Sequence, residues 1–457
     1  MGSVYFQEPS TDGAPGIWEL EDALRNQGLG RWPTIPATVP DWIKRGPDDA
    51  LPVDLADYAL GKGWFNGRPY PNLFAYMDAA GGAFSRGSDA TYFDASGILR
   101  TAGPNVLRLD HDPGAGKALG ARLEGGRTNI ALRSEDISSS AWQKISGTAP
   151  TSYSFRESAD TNRHICRQRL AVPDGSFALA FDIRGVGRSN VNVTLETSGA
   201  YANRCEVLIN LTNGSSTTSN FGTFGGVAVV PEMIDVGLYR VVITGETGAK
   251  GGDGAIWISI TPAQADGAIN YPGEIEKGFD LWRVSLEVAP LASSYIPTGA
   301  TSATRLADSL TFARAAPPEG TVVIEGRTPL GTGGNQVLWQ WDDGTDANRY
   351  RLVRVNDGNL RAIMTVAGVD VVNLDLGPVA NDADLKVVPS WRAGQFAASL
   401  NGAAAVVDTS YTGPLPVVST VRCGSGATSG DEWYGTMARL GVFDKAYSPA
   451  QIKEMSA

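Results

Sequence analysis

The feature that most constrains this chain is two-residue alternation in short runs. Val191-Asn192-Val193-Thr194-Leu195 and Ile256-Trp257-Ile258-Ser259-Ile260 put every second side chain, all apolar, on one side. A period of two belongs to a strand with one buried face, not to a helix. Runs of similar length at 177–183, 205–211, 227–230, 239–244 and 281–288 are set apart by turn signals such as Asn213-Gly214 and Gly251-Gly252-Asp253-Gly254. Seven or more short strands with polar loops predict a sandwich or jelly roll. The 55 glycines and 26 prolines fit a chain of many turns and few long helices.

A second β body is expected after the boundary Ala315-Ala316-Pro317-Pro318-Glu319-Gly320. Its strands are expected at 321–326, 337–341, 350–355, 360–366 and 433–443. Val337, Trp339 and Trp341 are expected on one core-facing side. Asn401-Gly402, between runs at 396–400 and 403–407, is the strongest hairpin signal, because Asn-Gly supplies the positive φ angles of a tight turn. Ser448, Pro449 and Gln451 predict a capped closing helix. Upstream, Ile17, Leu20 and Leu24 fall on one helical face, with Glu19, Glu21 and Asp22 early, where the helix dipole favours them. Gly28 would stop that helix, and Pro36, Pro40, Pro47 and Pro52 bar a longer one. A hairpin is expected through Tyr92-Phe93, the turn 94–97 and Ile98-Leu99-Arg100. The predicted fold is mainly β: two β-sandwich (jelly-roll) domains in series after an irregular N-terminal arm with a short helix. The predicted bounds are an attachment arm at 1–71, a connecting β segment at 72–126, a jelly roll at 127–314 and a second sandwich at 315–457.

Between these regions runs Leu123 to Trp142. It holds Glu124-Gly125-Gly126-Arg127-Thr128-Asn129, then Ile130-Ala131-Leu132, which would suit a first strand, then Ser134-Glu135-Asp136 and the large anchor Trp142. Ala90-Thr91-Tyr92-Phe93-Asp94 and Arg108-Leu109-Asp110-His111 precede it. Ser294-Tyr295-Ile296-Pro297-Thr298-Gly299 and Ala303-Thr304-Arg305 follow. In this order the pieces resemble tail and fibre proteins of tailed bacteriophages, in which such a run opens a jelly roll similar to carbohydrate-binding modules. The likeness covers about 84–308. The segment from Ile17 to Pro33 is similar to one in phage tail and structural proteins. Trp391-Arg392-Ala393-Gly394 with Asn401-Gly402, and the closing stretch from Gly435 to Ile452, are similar to concanavalin A-like or laminin G-like sandwiches. The resemblance implies a virion structural protein (tail fibre, spike or head fibre) and a homotrimer. Its arm would meet other virion proteins through Ile17, Trp18, Leu20, Leu24 and Trp32. The last sandwich would meet a host-surface glycan.

Composition narrows the partners. A net charge of −11 argues against nucleic-acid binding through a basic surface. Cys166, Cys205 and Cys423 form no C-x-x-C and are expected as free buried thiols, as in a reducing cytoplasm. No signal peptide is expected at the N-terminus, and no apolar run approaches the ~20 residues that span a bilayer. Gly-x-Ser-x-Gly is absent. Gly114-Ala115-Gly116-Lys117 lacks the Ser or Thr and the first Gly of a phosphate loop. His111, between Asp110 and Asp112, is expected in a hydrogen-bonded loop, and His164 near Cys166 in an ordinary strand. Asp342-Asp343, Asp357 and Asp431-Glu432 sit at strand ends, where turn formation is their expected role. No cofactor is expected; calcium on such carboxylates is the one ion left open. Sugar binding uses aromatic faces beside carboxylates and amides. Trp433 and Tyr434 follow the polar loop 429–432, so Asp431, Glu432, Trp433 and Tyr434 are the expected glycan site. The expected function is host attachment without catalysis. A tail-associated glycan depolymerase and a ligand-free architectural protein remain the alternatives.

Overall fold

The computed structural model describes residues 39–197, 200–248, 254–331, 333–428 and 430–457. The predicted attachment residues Ile17, Trp18, Leu20, Leu24 and Trp32, with their short helix, lie outside the described residues. Within them the protein is mainly β and forms two sandwiches. Two helices, Leu73–Ala80 and Pro449–Ser456, accompany the strands.

One sandwich, here the insert, spans 127–305. Its first sheet runs in the order Gln143–Ile145, Ile165–Ala171, Ala255–Ala263, Asn190–Thr197, Ala200–Asn210, Ser216–Phe221. Its second runs Gly147–Thr148, Ser154–Glu157, Gly278–Glu287, Ser176–Val186, Leu238–Glu246, Gly225–Asp235. All seven predicted runs fall on these strands, two of them overrunning the observed end by one residue, at Leu211 and Val288. Alternation decides the core: Val191, Val193, Leu195, Ile256, Ile258 and Ile260 are fully buried against Phe177, Leu179, Phe181 and Ile183. Trp142 is buried too, its Nε1 donating to the carbonyls of Leu132 and Arg133.

The other sandwich, the frame, is made from both ends of the described chain. In its ten-stranded sheet Asp54–Asp57 lies between Lys62–Phe65 and the last strand, Gly435–Phe443. Ala118–Leu123 pairs with the start of that last strand. In the seven-stranded sheet Gly82–Ser85 pairs with Ser309–Ala313. Residues 54–123, expected as an arm and a connecting segment, therefore contribute strands to the sandwich completed by 309–456. The insert is spliced into the frame. These early strands are only three to six residues long, and runs such as Asp54-Leu55-Ala56-Asp57 carry too few alternations to be read from sequence.

Trp339, Trp341, Trp391 and Tyr350 meet in the frame core, with ring centroids 4.8–6.1 Å apart in edge-to-face and stacked pairs. Val337 does not join them, contrary to expectation. A bulge between Val337 and Trp339 turns it to the other side of the sheet, against Val353 and Ile363. A bulge inserts one residue and reverses the facing of everything beyond it. Asn401 (φ 47°) and Gly402 (φ 72°) make the predicted left-handed turn, though the returning strand starts only at Val406. Ser448 and Gln451 form the predicted reciprocal cap.

Candidate functional site

Insert and frame are joined at a neck where Arg127–Asn129 pairs antiparallel with Ala303–Arg305. The predicted first strand at Ile130-Ala131-Leu132 forms no ladder. The Asn129 side chain holds that backbone instead, accepting from Ala131 and Leu286 and donating to Val284 and Ile296. Behind the neck lies an ion network almost without solvent exposure. Asp308 binds Arg86 at 3.0 Å and Arg108 at 2.5 Å; Glu124 binds Arg108 at 2.8 Å and Arg305 at 2.7 Å. Ser294 donates to Glu124 through its backbone and hydroxyl, at 2.8 and 2.6 Å. Burial alone would push Glu124 up, but Arg305, Arg108 and Arg122 outweigh it and hold the carboxyl well below its usual range. The stretches that carried the family resemblance thus build the neck. Gly125 is fixed by close approach, since a Cβ there would sit 2.2 Å from the Tyr434 hydroxyl.

Beside the neck a cavity of about 130 Å³ opens between the two sandwiches. One wall is the outer face of the second insert sheet. Asp182, buried on that face, stands opposite Arg240 across the ladder and accepts from it at 3.0 and 3.2 Å. Arg283 also donates to Asp182. Arg283 sits where the strand register slips, at φ 53°. A left-handed non-glycine residue at a bulge costs backbone energy and often re-aims a side chain at a site. The second wall is the hairpin of Ala90–Phe93 and Leu99–Ala102. Phe93 presents its ring to Arg240, 4.7 Å from the centroid. Its amide donates to Asp110 at 2.7 Å, and Asp110 also accepts from Arg122. The third wall is the frame, where Arg327 clamps Asp382 with two bonds of 2.7 and 3.0 Å.

Glu232 is the exception in this lining. It is half-buried and has no hydrogen-bond or ion-pair partner among the described residues. Burial raises its pKa, the charges of Asp382 and Asp112 add to the rise, and Arg240 offsets it only in part. The cleft therefore combines guanidinium forks held by Asp182, Asp382 and Asp110, aromatic surface from the half-buried Tyr92 and Tyr295, and one carboxyl free to bond a guest. Sequence reading missed these residues. The available signal was a charge inside an apolar run, Asp182 after Phe181 and Arg240 after Tyr239.

The structure separates the predicted glycan residues. Trp433 is fully buried, its Nε1 donating to the Arg327 carbonyl at 3.1 Å, so its faces are closed to a sugar. Tyr434, at φ 59°, lies 4.2 Å under the Arg127 guanidinium and lines the cleft. Asp431 reaches Arg351 at 3.7 Å, and Glu432 accepts from the Gly430 amide. Asp342 is buried against Arg422, and Asp343 caps its own turn. His111 Nδ1 lies 3.1 Å from the Phe93 carbonyl, and the His164 ring lies between the carbonyls of Ser146 and Tyr271. The three thiols are free and buried, and burial pushes each up to about 12. Among the described residues no three His, Cys, Asp or Glu side chains are grouped to hold a metal, and no helix is long and apolar enough to cross a membrane.

No family model and no curated protein matches the chain. Solved structures similar to parts of it include the Ruminococcus gnavus IT-sialidase CBM40 bound to alpha2,3 sialyllactose, at 20% identity over 31% of this chain and 83% of that one, TM-score 0.27. Domain 4 of AbnA, an extracellular arabinanase from Geobacillus stearothermophilus in complex with arabinotriose, is 12% identical over 36% and 82%, TM-score 0.29. Domains LG4-5 of the mouse laminin alpha1 chain are 12% identical over 67% and 96%, TM-score 0.23.

Proposed function

We propose that this protein is a virion appendage protein of a tailed phage that binds a host-surface glycan in the cleft between insert and frame. The observation that carries the glycan reading is the cleft lining. Sugars present hydroxyls to charged side chains and a C–H face to aromatic rings, and fixed guanidinium–carboxylate pairs with the half-buried Tyr92 and Tyr295 offer both. Size narrows the guest. An apolar cavity of ~150 Å³ holds one benzene ring, so about 130 Å³ suits one terminal sugar unit rather than a chain. The wording of the stretches around Glu124, Ser294 and Arg305 supports the virion assignment, and the homotrimer belongs to the same reading. Nucleic acid and membrane insertion have no part in it.

The test is a glycan array on the full chain, followed by titration of the best hit against Glu232→Gln and Arg240→Ala. Binding that weakens tenfold or more in Arg240→Ala, with near-ultraviolet dichroism unchanged, is expected. A blank array with folded protein, or wild-type affinity in both variants, would sink the reading.

The raised pKa of Glu232 favours one second reading, a glycan depolymerase with Glu232 as general acid. Binding is preferred because the other carboxylates lining the cleft are engaged: Asp182 by two guanidiniums, Asp382 by a bidentate clamp, Asp110 by the Phe93 amide and Arg122, and Asp112 by the amides of Gly114 and Ala115. Release of reducing ends from the bound glycan, abolished by Glu232→Gln, would reverse that preference.

A further inference from the structure

One row of charged side chains crosses three neighbouring strands on the insert wall of the cleft. Glu232 on Gly225–Asp235 stands opposite Arg240 on Leu238–Glu246, and Arg240 stands opposite Asp182 on Ser176–Val186. Opposite residues of an antiparallel ladder lie on one face and pair there. In this row a single guanidinium lies between two carboxylates. It turns to Asp182, with bonds of 3.0 and 3.2 Å, and Arg283 donates to the same carboxylate. Glu232, half-buried on the edge strand, is left with no ion pair or hydrogen bond among the described residues. The frame supplies no replacement. Burial pushes the Glu232 carboxyl up; Arg240 and Arg327 pull the other way, and Asp382 and Asp112 add to the rise. Arg327 is itself held by Asp382 at 2.7 and 3.0 Å and by Asp384 at 3.2 Å. Over the whole lining four arginines face five carboxylates. Each arginine already has an acid: Arg122 has Asp110, Arg240 and Arg283 share Asp182, and Arg327 has Asp382.

We infer that the sugar unit taken by the cleft carries a free, protonated amine that pairs with Glu232, as an unacetylated amino sugar does. The inference rests on the glycan reading above and names the chemistry of its ligand. An acidic sugar would find no guanidinium without a counter-ion and would meet Glu232 as a like charge, which works against binding. A cationic guest supplies the partner that the row lacks. Its bond to the carboxylate is charge-assisted, roughly twice as strong as a neutral one. A bare metal ion fits less well, because among the described residues no three acids close on one point. An ammonium needs only one carboxylate and can turn its remaining donors to water. Acetylation would remove the charge and add bulk in a cavity of about 130 Å³, so the N-acetyl form is disfavoured on both counts.

The test is a glycan array probed with the full chain near pH 6.5. Each terminal sugar is presented as its free amine, its N-acetyl form and its hydroxyl form, beside terminal uronic acids. For the best-bound sugar, the amine is expected to bind tenfold or more tighter than its N-acetyl and hydroxyl forms. That comparison needs no variant. Glu232→Gln should then bring the ratio below about threefold. Hits confined to neutral or acidic termini would overturn the inference and leave the glycan reading standing. So would a ratio that stays at tenfold in folded Glu232→Gln. A blank array would remove both.

Discussion

Glu287 offers the sharpest physical test of the neck. It lies buried on Gly278–Glu287, where Ser293 donates at 2.9 Å and Ser285 at 3.4 Å, and its nearest cation is Arg127 at 3.8 Å. Burial outweighs the pull of Arg305 and Arg127 and raises its pKa from 4.5 to about 7. The folded protein therefore holds this proton more tightly than the unfolded chain does. Below about pH 4.5 both states are protonated and the group costs nothing. As pH rises towards 7 the unfolded state loses its proton first, and stability falls. Above 7 the cost is complete, up to about 3 kcal/mol at 1.36 kcal/mol per pH unit. Glu287→Gln keeps the carbonyl acceptor and removes the charge. The variant should match the wild type within about 1 kcal/mol at pH 5. At pH 8 it should exceed it by about 2–3 kcal/mol, or roughly 5–10 °C in Tm for a unit of this size. Urea unfolding of both proteins at pH 5, 6, 7 and 8 measures the difference, and other titrating groups cancel in it. Parallel pH profiles would refute the placement of a buried, incompletely compensated carboxyl at this point.

Three further outcomes test other parts of the structure. Arg108→Ala leaves Asp308 and Glu124 each short of a buried partner and should cost about 3–5 kcal/mol, read by chemical denaturation; a change under 1 kcal/mol would mean that water enters the network. Gly125→Ala drives a Cβ into Tyr434 and should cost about 1–3 kcal/mol, with faster proteolysis near the neck as the second readout. Trp433→Ala should destabilise by about 3–5 kcal/mol as a core deletion. Trp433→Phe, which keeps most of the volume, should leave glycan affinity unchanged; loss of binding in that variant would return Trp433 to the site.

The insert was legible because its strands are long enough to repeat. Ile256 to Ile260 alternates through five positions, and no other periodicity competes. The frame was half legible. Its later strands carry aromatic clusters and Asn-Gly turns, whereas Asp54–Asp57 and Gly82–Ser85 are four residues each and become strands only through distant partners. The wording around Glu124, Ser294 and Arg305 marked a family likeness but not a role. The role depends on bringing together Arg86, Arg108, Arg305, Glu124 and Asp308 from opposite ends of the insert, which no local pattern records. Trp433 misled for a related reason. Its polar neighbours Asp431 and Glu432 reach the surface, while the strand that begins at Gly435 draws the indole beneath Arg327.

Splicing one sandwich into the other also orders events during synthesis. Asp54 pairs with Val442, so the first frame strand must wait for nearly the whole polypeptide. At ~5–20 residues per second that wait is on the order of 20–80 s, during which a bare strand edge invites wrong partners. The insert can close first, since all its pairings lie within 127–305. Once folded, it holds Arg127 beside Arg305 and turns a long flexible loop into a short one, which lowers the entropy to be overcome when the frame's two halves meet. A nascent chain with a crippled insert should therefore fail in the frame, far from the lesion.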